Sequence, residues 1–566
     1  MPFDLLIRDG TVVDGSGLAR YPGDVAVQDG RIAAIGRMKG AAARQVIDAD
    51  GLVVSPGFVD GHTHMDAQVF WDPIGTCSCY HGVTTVVMGN CGFTLAPCRE
   101  READFVFRNL ERAEDISREA MLAGIRWRWE TFPEFLDVLE SLPKGINYSG
   151  YIGHGALRTY VMGERAFDGA ATDADIEVMA REVRGALCAG AIGFSTSRSL
   201  AHETSDGRPV ASRLAEWREI EAIVAAMGEL DAGIFQLAPA RETDPKFSTA
   251  LKDLAVSSGR PITLGMVASL KAPTDWRPHL EMMETAAREG GRLSAQVHAR
   301  DISVLLSFET ELPFDRWDGW REFRSQPLER QMAGLRDPGT RERLVQIASR
   351  PYQGPKVHGA GGRPPDWEWM FLLDDLSRPK PSVAEIARQR NVRPAEVMID
   401  EALKRDLRLF FRQVAVNGDE EQVLALMRHP RSVVTFSDAG AHVSQIMDNS
   451  LQTHLLSYWV REKQAFTLEQ AIRKITFETA SQWGFADRGL VREGLAADLV
   501  VFDPDTIAPK LPELRHDLPQ GERRLFQRAQ GIAATIVNGE VLLRDGEATG
   551  QLPGRLLRGR VSQVGS

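Results

Sequence analysis

Pro56-Gly57-Phe58-Val59-Asp60-Gly61-His62-Thr63-His64-Met65-Asp66 is the stretch on which the reading of this chain turns. Phe58 to Asp60 begins a buried-strand pattern with glycine on either side. Side chains alternate along an extended chain, so residues two apart share a side. His62 and His64 therefore leave the strand together, and two neutral imidazoles on one side can hold one cation. A bare pair of histidines two apart also occurs in cores and on surfaces. The strand before the pair, the glycine punctuation and the β-rich leader give it its weight.

That leader reads as short strands: Phe3 to Arg8, Val25 to Gln28, Arg31 to Ile35, Val46 to Asp48 and Leu52 to Val54. Asp9-Gly10 and Asp29-Gly30 are hairpin signals between them. The far end mirrors the near one, with Ala497 to Asp503, Ala533 to Val537, Asn538-Gly539 and Glu540 to Arg544. The pattern predicts one small β-sandwich domain from residues 1–56 and 485–550.

Between the ends, apolar runs alternate with helical spacing. Thr84 to Met88, Ile146 to Ile152, Ala191 to Ser195, Gly233 to Leu237, Pro261 to Val267, Leu293 to Val297 and Val433 to Phe436 read as buried strands. Ile176 to Cys188, Leu214 to Gly228, Phe247 to Ser258 and Thr285 to Glu289 read as helices. With Phe58 to His64 there are eight strand candidates, which predicts an α/β fold: a (β/α)8 TIM-type barrel over residues 57–300 and 431–484. Residues 301–430 break the rhythm with Pro- and Trp-rich loops (Leu312 to Asp315, Gly361 to Trp369) and helical segments at Ser382 to Arg390 and Pro394 to Arg405. They read as an insertion between strands seven and eight that shapes the mouth of the site.

The chain has 566 residues, 43% hydrophobic and 26% charged, so it can bury a large core divided over two or three domains. A net charge of −11 argues against non-specific nucleic-acid binding, which needs a basic face. No run approaches the roughly 18 apolar residues of a membrane span. Five cysteines are too few and too odd for a disulfide framework, and no signal peptide is read at the N-terminus, which predicts a cytoplasmic protein.

Two more residues join the histidines. Asp438, in Ser437-Asp438-Ala439-Gly440-Ala441-His442, follows the last strand. There a carboxylate can ligate a metal and carry a proton; standing alone it would read as a helix cap. Cys91, in Met88-Gly89-Asn90-Cys91-Gly92-Phe93, follows the second strand, where a thiolate can be a ligand. The plainer alternative is a small buried apolar residue.

Together these residues resemble the amidohydrolase superfamily, and within it the D-aminoacylase branch, the N-acyl-D-amino-acid deacylases. The resemblance covers nearly the whole chain. It includes the core PGFVDGHTHMDAQ, and the leader DLLIRDGTVVDGSG and the tail Gly494 to Phe502 are shared across the superfamily. MGNCGF and Gly153-His154-Gly155-Ala156-Leu157-Arg158 are particular to the branch. The resemblance implies zinc near His62, His64 and Cys91; the lack of the two further histidines noted below makes one ion the expectation rather than two. It further implies a metal-activated water attacking an amide carbonyl, with Asp438 as general acid/base, in a small-molecule substrate.

The branch also carries histidine ligands after strands five and six. Here the corresponding runs, Gly233 to Pro239 and Ile262 to Ser269, contain none. The site must then rest on His62, His64, Cys91 and Asp438, which opens a changed substrate or bond (a cyclic amide, a carbon–carbon bond) or a non-catalytic relative as alternatives. Against the last, a dead site has no physical reason to keep all four.

Lesser candidates are four substrate-binding residues and one supporting residue. His154 is placed for an oxyanion or carboxylate, or is structural. Arg198 is placed for a substrate carboxylate, or is an ordinary ion pair. Gln236 is a hydrogen-bonding residue in place of the strand-five histidine, and His298 is a nitrogen donor or a pocket wall after strand seven. Asp66 either orients a ligand histidine or caps local backbone. Barrels of this kind often pair into homo-oligomers by analogy.

Overall fold

In this computed structural model residues 2–238, 245–351, 363–376, 378, 380–446 and 448–559 are described. Pro239, Gly361 and Gly362, part of stretches read above, lie outside them.

Eight parallel strands form one curled sheet: β1 (Phe58–Asp60), β2 (Val83–Met88), β3 (Asn147–Gly153), β4 (Gly193–Thr196), β5 (Ile234–Leu237), β6 (Ile262–Gly265), β7 (Leu293–Val297) and β8 (Ser432–Val434). Each pairs with its sequence neighbour, from Phe58 against Val83 round to Val297 against Val434. β8 returns to β1 through a parallel bridge between Thr63 and Ala439. Asp60 braces the same seam, its Oδ1 accepting from Thr435 Oγ1 (2.9 Å) and from the His62 N–H (3.2 Å). Every residue of β2 and β3 is buried, as strands covered on both faces require. Helices such as Asp173–Ala189, Trp217–Glu229, Pro245–Ser258 and Arg277–Arg288 follow β3 to β6 or stand between them. The last begins eight residues before the helix expected at Thr285, because Trp276, Leu280 and Met283 extend its buried stripe.

The strands of the two chain ends join one nine-stranded sheet. Its order is Glu547–Ala548, Glu540–Arg544, Ile532–Val537, Leu499–Phe502, Val53–Pro56, Phe3–Val12, Tyr21–Gln28 and Arg31–Gly36, with Ala43–Asp48 also on Phe3–Val12. Period-two alternation divides its side chains. Leu499 and Val501 join a core with Leu5, Ile7, Val25 and Ile536, whereas Val500 and Phe502 pack into the barrel's cluster. Asp29-Gly30 and Asn538-Gly539 both take left-handed φ, as tight hairpins need. Asp9-Gly10 is not a turn. The strand runs through it to Val12, with a register shift between Ile7 and Gly10 and Asp9 at φ 57°, so the pair forms a bulge. A Cβ on Gly10 would meet Val54 Cγ2 at 2.6 Å.

Between β7 and β8 lies a three-stranded antiparallel sheet, Ile302–Leu306, Phe411–Val416 and Met370–Leu372, with helices including Val383–Arg390 and Pro394–Leu403. It has a core of its own around Trp320, Phe323, Leu344 and Val397.

Candidate metal centre

His62 and His64 stand just past the end of β1. Thr63 between them turns the other way: its N–H and its hydroxyl both donate to the Val87 carbonyl at 3.0 Å. The two imidazoles therefore fall on one side, ring centroids 5.5 Å apart. Gly61 is obligatory here, since a Cβ would lie 2.2 Å from the Trp483 ring.

Cys91 follows β2 in the left-handed region, φ 57°. Its loop is pinned from three strands. Asn90 Nδ2 donates to the Val87 carbonyl (2.9 Å), the Gly92 N–H to Ser195 Oγ (3.0 Å), and the Cys91 N–H to Gln236 Oε1 (2.7 Å). Asp438 follows β8, also left-handed at φ 52°. Gly440 lets the loop pass close, because a Cβ there would meet the His64 carbonyl at 2.5 Å.

These loops bring four ligand atoms together. Cys91 Sγ is 3.4 Å from His62 Nε2; Asp438 Oδ1 is 3.2 Å from His62 Nε2 and 3.5 Å from His64 Nε2. His62, His64 and Cys91 each offer an atom within 4.8 Å of the other two. Tetrahedral zinc with bonds of about 2.0–2.3 Å sets its ligand atoms roughly 3.3–3.8 Å apart; the separations of 3.2–3.5 Å lie close to that range, and the N, N, S set of His62, His64 and Cys91, with Asp438 beside the imidazoles, suits such an ion. His62 Nδ1 meets Gln296 Oε1 at 2.5 Å. Donation there fixes the tautomer and leaves Nε2 to face the cluster.

Burial dominates the electrostatics. It pushes the His64 imidazole below its ordinary value against the opposing pull of Asp438. It pushes the Cys91 thiol well up, with Glu114 and Asp438 adding to the shift. Burial also favours the neutral Asp438 carboxyl, but hydrogen bonding to His62 and His64 outweighs it and holds the group below the usual carboxylate range. Asp66 is raised to about 7, burial outweighing its bond from the Gly89 N–H.

The other sequence candidates are distributed differently. Asp66 Oδ2 accepts the Gly89 N–H at 2.9 Å, tying the β1 loop to the β2 loop instead of bonding a ligand histidine. Gln236 holds the Cys91 backbone. His154 has both ring nitrogens engaged, with Thr196 Oγ1 and Glu219 Oε1 at 2.8 Å each, and Arg158 completes that buried group. His298 Nδ1 accepts the Arg300 N–H at 3.0 Å. Arg198 donates to the Ala215 carbonyl at 3.1 Å and lines a cavity of about 670 Å³ that opens from Asp438 and His442 past His202, Arg213 and Leu237. Sequence reading missed four participants: Asp60, Gln296, Glu114 and His442. A buried amide on the β7 strand was a usable signal for Gln296. Glu114 ends helix Ala103–Ala113 and carries no motif.

Residues 45–543 match the amidohydrolase family. The chain belongs to that family. This amidohydrolase is 30% identical to N-acyl-D-aspartate deacylase of Alcaligenes xylosoxydans xylosoxydans over 560 residues, covering 98% of this chain and 95% of the relative. It is 29% identical to D-aminoacylase of the same organism over 558 residues, 98% of each chain. Among solved structures it resembles N-acyl-D-glutamate deacylase of Bordetella bronchiseptica, complexed with zinc and a phosphonate mimic of the tetrahedral intermediate. That match has a TM-score of 0.65 at 24% identity, over 99% of this chain and 100% of the other. The amidohydrolase is a metal-dependent hydrolase of carbon–nitrogen bonds other than peptide bonds, acting on small molecules. No helix among the described residues is long and apolar enough to cross a membrane.

Proposed function

We propose that this amidohydrolase deacylates N-acyl-D-amino acids with a single zinc ion held by His62, His64, Cys91 and Asp438. The observation that carries the reading is the approach of Asp438 Oδ1 to both imidazole Nε2 atoms, 3.2 and 3.5 Å, with Cys91 Sγ at 3.4 Å from the first. When bound, the ion supplies the Lewis acidity that activates water and polarises the scissile carbonyl. Gln296 orients His62, and Gln236 holds the Cys91 loop at the floor. Asp438 has 19% of its side chain exposed, towards the cavity. Its carboxylate can take a proton from the attacking water and return it to the departing nitrogen. Arg198 and Arg213, among apolar Leu200, Leu237, Val267 and Ile302, suit a carboxylate beside an acyl chain. Five unpaired cysteines, four of them buried, accord with a reducing cytoplasm. We take residues 1–56 with 485–550, the barrel, and 301–430 as three units, the last forming one side of the mouth, and the enzyme as a homo-oligomer.

The test is a hydrolysis screen of N-acyl-D- and N-acyl-L-amino acids and cyclic amides, run beside metal analysis of the purified protein. About one zinc per chain, lost in His62→Ala, with turnover of the D-series, is expected. Turnover of cyclic amides alone would displace the deacylase reading, and protein free of metal would end it.

A further inference from the structure

A second cavity, of about 410 Å³, shares no lining residue with the catalytic one among the described residues. It lies where three parts of the chain meet: the insertion sheet with Leu305, Leu372 and Arg412, the helical stretch Leu455–Glu462 with Tyr458, and the short strand Ala508–Pro509. The insertion sheet serves both cavities, because Ile302, Val304 and Val416 of the same strands line the catalytic one.

One wall of the second cavity is cationic. Arg378 and Arg412 both close on Asp301, one nitrogen of each guanidinium meeting one carboxylate oxygen. Asp301 is the only hydrogen-bond partner of either guanidinium among the described residues. A guanidinium carries five N–H donors, so most of theirs remain unused, although the two side chains are only 20% and 12% exposed. Two guanidiniums against one carboxylate also leave a positive charge over. The nearby acids do not cancel it: Asp374 and Asp375 are held by Lys380, Glu420 by Lys463 at 2.9 Å, and Glu462 is exposed. Neighbouring His454 registers the same field. Burial first, then the charges of Arg378 and Arg300, hold its imidazole well below the ordinary value.

The other walls are aliphatic. Leu305, Leu372 and Pro509 line the cavity, and so do Leu376 and Leu511, which are 41% and 43% exposed. Unused guanidinium donors favour an oxyanion, which they can bind through paired N–H groups. Leucines left in water beside them favour an apolar chain attached to it, since covering each methylene is worth about 0.8 kcal/mol.

We propose that this cavity is a binding site for an aliphatic carboxylate, its head on Arg378 and Arg412 and its chain along Leu372, Leu376 and Leu511. The site is separate from the catalytic cavity and does not depend on the reading of the metal centre.

The test is calorimetric titration of the full-length protein with octanoate and, separately, with acetate. Wild type should bind octanoate saturably and at least about tenfold more tightly than acetate, the chain making the difference. Arg378→Gln, which removes charged donors, and Leu376→Glu, which sets a like charge beside the ligand, should each weaken octanoate by about tenfold or more. Leu376 is a surface position, so Leu376→Glu supplies a folded variant if Arg378→Gln does not. No saturable octanoate binding by wild type, or acetate binding as tightly as octanoate, overturns the proposal. Wild-type octanoate affinity in the folded variants overturns it too, because the ligand would then sit elsewhere, the catalytic cavity included.

Discussion

Two buried polar clusters sit in this barrel, and they are built on opposite principles. In the group of His154, Arg158 and Glu219 both ring nitrogens and both carboxylate oxygens find protein partners, and all three side chains are at most 1% exposed. In the group of His62, His64, Cys91 and Asp438 the atoms crowd together with fewer bonds. His64 Nδ1 is buried without a hydrogen-bond partner, as are Gln236 Nε2 and Gln296 Nε2 around it. A network whose histidine, arginine and carboxylate pair with one another holds a fold together, even with Arg158 Nε left over. One that leaves donors and acceptors pointing at a shared space is organised for something else to fill it.

The comparison can be broken by mutation. Asp438→Asn should cost about 10²–10⁴ in kcat, the usual size of a lost general acid/base, with little change in the urea midpoint. A large loss of stability with activity retained would reverse the assignment. Glu219→Ala should do the opposite. It strands fully buried Arg158 and should lower unfolding stability by about 3–5 kcal/mol, measured by urea denaturation, while the metal content of correctly folded protein stays unchanged.

The smallest effect is one of slope. Glu219 is held below the ordinary glutamate value; burial would raise it, but His154 and Arg158 outweigh that. Its contribution is present above the unfolded value of 4.5 and is lost as pH falls through the lower folded value. Asp66, beside the other cluster, is raised from 3.8 to about 7. It retains its proton in the folded state, so metal-free protein should lose stability as pH rises from about 4 to about 7. Glu219→Gln should flatten the acid limb and Asp66→Asn the neutral one, in chemical denaturation series across pH. Identical profiles for the two variants would erase the distinction between the clusters.

Much of the architecture was legible because its rules are local. The eight strands of the barrel follow apolar runs bounded by glycine and polar residues, and the nine-stranded sheet follows period-two alternation with tight turns at Asp29-Gly30 and Asn538-Gly539. Asp9-Gly10 misled because bulge and turn ask the same left-handed φ of the chain; only the pairing of Phe3–Val12 with Tyr21–Gln28 separates them. At the site, the facing of His62 and His64 was a property of extended backbone. Cys91 and Asp438 could be named as candidates from their places after β2 and β8.

The sequence by itself determined the strand and helix periods, the acidic and cysteine-poor composition, and the shared side of His62 and His64, because each depends on residues a few positions apart. Only the tertiary structure decided which polar residues meet. Gln296 reaches His62 across 234 positions, Asp60 reaches Thr435 across 375, and His64 and His442 meet at Glu114 from different parts of the chain. Those meetings are fixed by barrel closure and by what each buried atom lacks once the chain is folded, and neither quantity is written in any local stretch of sequence.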